Sequence, residues 1–231
     1  MRSPVARTDH YRQPGDLPVR IPVFPLRGAI LLPRAHLPLN VFEPRYLAMI
    51  DAVMAGERML GIIQPNDTSG DMPESPAGSV APLKTVGCTG RVTAYQELDD
   101  GRLLISLTGI CRFATVREAP TSTPFRQFDV DYQRFESDFE RGAGEASVDR
   151  DGLLSVLKAF LDAKSLEADW SAITNAPTEL LINSLSIISP FGAEEKQALL
   201  EAPDLKGRAK VLTTLAQMEL ASDGRSGGQI Q

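Results

Sequence analysis

Two cysteines, Cys88 and Cys111, and two histidines, His10 and His36, are the soft metal donors of this chain. A zinc site needs its ligands at close, recurring spacings, because four donors must converge on one ion. These four residues fit no such spacing, and no Cys-x-x-Cys occurs. The sequence therefore supports neither a metal centre nor a dithiol redox site. The cysteines are expected to behave as small buried apolar residues in a reducing compartment. Catalytic motifs are equally scarce. A phosphate loop needs Gly-x-x-x-x-Gly-Lys-Ser/Thr, so that backbone amides and a lysine surround the phosphates together. None of the six lysines follows a glycine. The nucleophile elbow Gly-x-Ser-x-Gly is absent. A Ser-His-Asp triad would have to draw on His36 or His10, and His36, just ahead of a strand, reads as a surface or half-buried side chain. No motif supports a Ser–Lys dyad. Asp99 and Asp100 could serve as an acid/base pair. Turn chemistry explains them better, since Asp tolerates the positive φ of a tight hairpin. Glu43, two residues before Arg45, either caps the helix that opens at Pro44 or pairs with an arginine, with direct partner contact as the alternative. No catalytic residue, metal or cofactor is expected, and the chain is not expected to be an enzyme.

The elements around these residues are those of a binding scaffold. The block Ile21 to Ile50 sets short apolar runs between prolines and then turns helical. Val19 to Phe24 predicts a strand whose prolines suit an edge or a strand start, and Leu37 to Phe42 predicts a second. Pro44 opens a helix at the position where its missing N–H costs nothing. Tyr46, Leu47, Ile50, Val53 and Met54 form its apolar face, and Gly56 ends it. Met59 to Gln64 is strand-like, and Pro65 to Pro82 reads as a long loop. Val86 to Leu98 and Arg102 to Phe113 form a hairpin about Asp99-Asp100-Gly101. On its return strand Leu103, Ile105, Leu107, Cys111 and Phe113 share one face, and Ser106, Thr108 and Arg112 the other. Gly109 breaks the alternation, which predicts a bulge or a close backbone approach. Phe125 to Phe135 supplies a last strand.

From Val148 the apolar period changes from two to about 3.6. Leu153, Val156, Leu157, Phe160 and Leu161 make one helical face. Pro177 to Pro190 encloses a helix apolar most of the way round, expected to be the central buried one. Glu194 and Glu195 sit in the first turn of another, and Asp204 caps the last. The chain thus divides into a flexible segment 1–18, a β-rich part 19–136, a linker 137–147, a helical part 148–221 and a flexible tail 222–231. This is an α+β class with strands first and helices second.

Charge narrows the partners. The 231 residues carry a net charge of −6, which argues against a general nucleic-acid binder. Residues 1–50 hold seven arginines against three acids, and residues 137–231 hold fifteen acids against nine basic residues. A mildly basic front therefore precedes an acidic back. The N-terminus lacks the apolar core of a secretory signal. No apolar run is long enough to span a bilayer, so a cytoplasmic location and no membrane partner are expected.

Several stretches together resemble one family. Ile21-Pro22-Val23-Phe24-Pro25-Leu26 and Leu37-Pro38-Leu39-Asn40-Val41-Phe42-Glu43-Pro44-Arg45-Tyr46 are similar to the opening of the N-terminal substrate-binding domain of the ATP-dependent Lon proteases. Val86 to Gly90, Asp100-Gly101-Arg102, Gly109-Ile110-Cys111-Arg112-Phe113 and Glu195 to Glu201 resemble its later parts. The likeness spans roughly residues 19–218. It implies a twisted β-sheet barrel of the PUA-like type followed by a helical bundle. It assigns structural-motif roles to Glu43, Pro44, Asp100, Gly101, Gly109, Arg112 and Phe113. It implies a Lon substrate-binding domain without the ATPase and peptidase modules, binding unfolded or damaged polypeptide segments. An adaptor or holdase role beside a separate ATP-dependent protease follows from the same likeness. The polypeptide contacts are expected at Phe24, Leu26, Arg27, Phe42, Arg45 and Tyr46, with core packing or helix initiation as the alternative for each. RNA binding by a PUA-like fold and a dedicated protein–protein scaffold are the alternative functions.

Overall fold

The computed structural model describes residues 8, 10–66, 81–163 and 169–226. It forms two compact units, Met1–Glu140 and Arg141–Gln231. In the first, strands β1 (Arg20–Pro25) and β2 (His36–Val41) precede helix α1 (Pro44–Ala55). Strands β3 (Met59–Pro65), β4 (Leu83–Glu97), β5 (Leu103–Glu118) and β6 (Gln127–Asp131) follow. The six strands form one sheet in the order β2-β5-β4-β3-β1-β6, and β6 also pairs with β5. The pairings β5-β4-β3-β1-β6-β5 therefore return on themselves and leave β2 as an appended edge. Just ahead of β2, the Ala35 carbonyl accepts the Gly109 N–H at 3.0 Å, so alternate residues from Leu37 onward turn their backbone groups toward β5. Pro38 then falls on the outer edge, where it lacks a donor that a second chain could use.

β1 is not the edge strand its prolines suggest. Its first half, Arg20 to Pro22, pairs antiparallel with β6, and its second half, Val23 to Pro25, pairs parallel with β3. Pro22 is tolerated because it stands where one partner ends and the other begins. α1 begins with Pro44 in its first turn behind Glu43 and stops at Gly56. Its buried face is Tyr46, Met49, Ile50 and Val53, so Met49 replaces the half-buried Leu47 and Met54 of the expected face.

The β4–β5 turn spans Asp99 to Gly101 as expected, but its positive φ does not fall on an aspartate. The Leu98 N–H donates to the Arg102 carbonyl and the Gly101 N–H to the Leu98 carbonyl. Gly101 takes φ +80°, while neither Asp99 nor Asp100 is left-handed. This is a turn closed by a bulge glycine. Asp100 acts through its carboxylate, which accepts the Arg102 backbone N–H at 3.1 Å and its Nε at 2.7 Å.

Residues 11–18 are not a loose lead-in. Leu17 is buried, and Tyr11 accepts a bond from Arg91 NH1 at 2.6 Å. Asp138, expected in a linker, belongs to a 3₁₀ segment, Gln133–Phe139, and is buried. Residues 67–80 of the expected long loop lie outside the described residues.

The second unit contains α2 (Arg150–Ala163), α3 (Trp170–Asn175), α4 (Thr178–Ile188), α5 (Ala193–Glu201) and α6 (Leu205–Ser226). Leu153, Leu157 and Phe160 are the buried stripe of α2. The helix with the widest contacts is α6, which packs on α2, α4 and α5. The expected central helix, α4, leaves Leu180 and Ile188 exposed. Asp204 caps α6, its carboxylate accepting the Gly207 N–H at 2.7 Å. α6 runs on to Ser226, past the expected start of a tail at Ser222. Buried cations bind carbonyls here: Lys196 Nζ donates to Ile187 O at 2.8 Å and Arg208 Nε to Leu199 O at 2.9 Å. Both serve backbone carbonyls near helix ends.

Candidate functional site

α1 lies along β1 in the opposite sense. In the first turn of α1 the Tyr46 ring meets Phe24, with centroids 4.1 Å apart. In its last turns Ala52 and Val53 line the same groove as Ile21 and Pro22, three residues earlier on β1. Two neighbouring features thus occupy one helix–strand face: an aromatic contact at the N-terminal end of α1 and an open groove at its C-terminal end.

The aromatic contact divides the expected binding residues. Phe24 and Tyr46 are buried, and their rings meet at an interplanar angle of 31°. They are core residues, so they are not available for first contact with a partner. Burial raises the Tyr46 pKa, although Arg45 and Arg126 oppose the shift. Leu26 is half-buried, and its N–H donates to Ile63 O at 2.9 Å. Arg27 is exposed. Phe42, with core packing as its alternative, is 63% exposed. Arg45 is exposed too, and its guanidinium sits 4.6 Å from the Tyr46 ring centroid. It also holds Glu43 at 2.8 Å. Glu43 occupies the N-cap position but makes no side-chain cap bond, so of its two expected roles the pairing with an arginine is the one present.

The groove has a volume of about 340 Å³. Its floor is apolar, with Ile21, Pro22, Val53, Met59 and Phe125, and Arg20, Glu57, Thr123 and Gln127 stand at its polar margin. Arg20 is committed to Asp129 at 2.7 Å. Among the described residues no group of His, Cys, Asp and Glu side chains could hold a metal ion. Residue types alone could not reveal this groove, because Thr123 to Gln127 and Ala52 to Met59 meet only through the β1–β6 and β1–β3 pairings.

Residues 20–217 match the family model of the ATP-dependent protease La (LON) substrate-binding domain. The chain belongs to the Lon substrate-binding domain family. It is 26% identical over 208 residues to the Lon protease of Flavobacterium johnsoniae, covering 89% of this chain and 24% of that protein. It is 24% identical over 206 residues to Lon protease 2 of Myxococcus xanthus, with 87% and 24% covered. The chain thus spans about a quarter of the length of these relatives. Its fold is similar to that of the Lon N-terminal domain protein from Xanthomonas campestris, with TM-score 0.57, 20% identity and 84% and 97% of the two chains covered. It is also similar to the N-terminal domain of the Mycobacterium avium complex Lon protease, with TM-score 0.60, 18% identity and 86% and 98% covered.

The remaining motif residues of this Lon substrate-binding domain lie away from the groove lining. Gly109 sits at a register break: Thr89 pairs with Cys111 and Gly90 with Gly109, which leaves Ile110 as the extra residue. A Cβ on Gly109 would stand 2.0 Å from the Leu32 carbonyl oxygen, so both expected features occur together. The Phe113 ring lies over Gly61 and Gly87, where any Cβ would meet it within 3 Å. Arg112 is not on a solvent face. It is buried and grips Asp138 through Nε at 2.9 Å, NH2 at 2.8 Å and its backbone N–H at 3.0 Å. Its guanidinium also lies 4.6 Å from the Phe135 ring centroid. Burial alone would lower the Arg112 pKa, but the bonds and charge of Asp138 carry it upward. Cys88 and Cys111 are buried free thiols, and burial pushes Cys111 well above the usual thiol range. Among the described residues no helix is long and apolar enough to cross a membrane.

Proposed function

We propose that this chain is a non-catalytic module that binds unfolded or damaged polypeptide segments, and that its contact surface is the α1–β1 face. The supporting observation is the open, apolar-floored groove along that face in a chain whose residues 20–217 match a substrate-binding domain. Phe42 and Arg45 add exposed apolar and cationic surface at the N-terminal end of α1, and Arg27 is exposed just beyond the end of β1. Groove binding is favoured over strand addition at β2, because Pro38 interrupts the donors of that edge. We read the closed circuit of strand pairings as a PUA-like barrel and α2 to α6 as a helical bundle.

A role as adaptor or holdase for a separate ATP-dependent protease follows from this reading. So does a cytoplasmic site of action, where the thiols of Cys88 and Cys111 stay reduced. RNA binding is disfavoured by the state of the basic front. Arg20 and Arg45 pair with carboxylates, and Arg34 donates to the Asp138 carbonyl at 2.6 Å. The test is binding of a fluorescent, reduced and carboxymethylated lactalbumin by the intact chain. Saturable binding at micromolar concentration, weakened by Ala52→Trp in the groove wall, is expected. No binding by the intact chain would refute the proposal.

A further inference from the structure

We infer that the groove along α1 selects segments in which a bulky apolar side chain stands next to a basic residue. This rests on the reading of the groove as a polypeptide site and names the side chains it prefers. The floor is apolar, and its volume of about 340 Å³ accommodates one large side chain with part of its neighbour. The two charges at its margin differ in their engagement. Arg20, the cation of the lining, is held by Asp129, which accepts from its Nε at 2.7 Å and its NH2 at 3.3 Å and also accepts from Arg117 Nε at 2.7 Å.

Glu57, the acid of the lining, is exposed, and among the described residues no cation is paired with its carboxylate. It stands one residue beyond Gly56, the C-cap of α1. The carbonyl end of that helix adds partial negative charge, and helix stability alone disfavours an acid there. The nearby Arg91 donates through NH1 to the Glu57 carbonyl at 3.0 Å and to Tyr11, and it does not line the groove. Glu57 is thus unexplained by folding and well placed to receive a ligand cation.

The test uses two fluorescein-labelled peptides, Gly-Ser-Gly-Leu-Phe-Lys-Gly-Ser-Gly and the same sequence with Glu in place of Lys. Their anisotropy is measured with the full chain at low salt. The Lys peptide is expected to bind about fivefold more tightly, the scale of attraction plus repulsion at an exposed pair. Glu57→Gln should bring the two affinities together without loss of lactalbumin binding, and high salt should narrow the gap. Equal binding of both peptides, a preference that survives Glu57→Gln, or lactalbumin binding without peptide binding would each overturn this inference alone. Failure of lactalbumin and both peptides to bind would overturn the proposed function with it.

Discussion

Arg112 and Arg45 make the same chemical bond in opposite surroundings. Each holds a carboxylate at 2.8 Å, Asp138 and Glu43 respectively, and each lies against an aromatic ring at 4.6 Å. The Arg112 side chain is 2% exposed and that of Arg45 is 56% exposed. Buried, the pair must stay intact, because separating it strands a charge in low dielectric. Exposed, the pair exchanges freely with water and contributes little to folding, so a ligand can displace it cheaply. The difference separates the part of this domain that holds the sheet together from the exposed surface where we propose that a partner binds.

The strongest way to break this contrast is to remove one buried partner. Asp138→Ala should cost about 3–5 kcal/mol, read as a lower midpoint in urea unfolding. The double variant Arg112→Met/Asp138→Leu should recover part of that loss, since the uncompensated charge is gone. Next in size is Gly109→Ala, which drives a Cβ into the Leu32 carbonyl and should cost about 2–3 kcal/mol by the same assay.

A smaller effect comes from the outer face of the sheet. Bonds from Arg20 and then Arg117 hold Asp129 down to about 2. A carboxyl with a depressed folded pKa adds stability that is present above its unfolded value and disappears as pH falls through the folded one. The urea midpoint should therefore fall between about pH 5 and pH 2, and Asp129→Asn should flatten part of that fall. The smallest effect on folding belongs to Phe42→Ser and Arg45→Ala. Each should shift stability by less than about 0.5 kcal/mol while weakening lactalbumin binding, with thermal melts and anisotropy run on the same samples. A large loss of stability in either would place the rim in the core and erase the contrast.

Much of the scaffold was readable from residue order. Pro44 and Gly56 bracket α1, the Asp-Gly turn predicts β4 and β5, and Gly109 marks its own bulge. The errors have a common origin in distant pairing. Arg112 alternates with apolar neighbours as a surface residue would, and only Asp138, brought in by the 3₁₀ segment, makes its burial possible. For Phe24 and Tyr46 residue type leaves contact and core open, and only the helix lying back along the strand brings their rings within 4.1 Å and buries them. Glu57 carries no motif. Its interest comes from standing at a helix end beside a groove built from segments far apart in the chain.

The most direct test of the central claim is hydrogen–deuterium exchange on the full chain, with and without carboxymethylated lactalbumin. Added protection is expected in residues 44–57 and 123–127, with residues 107–113 unchanged. Protection confined to other segments, or none at saturating lactalbumin, would contradict it.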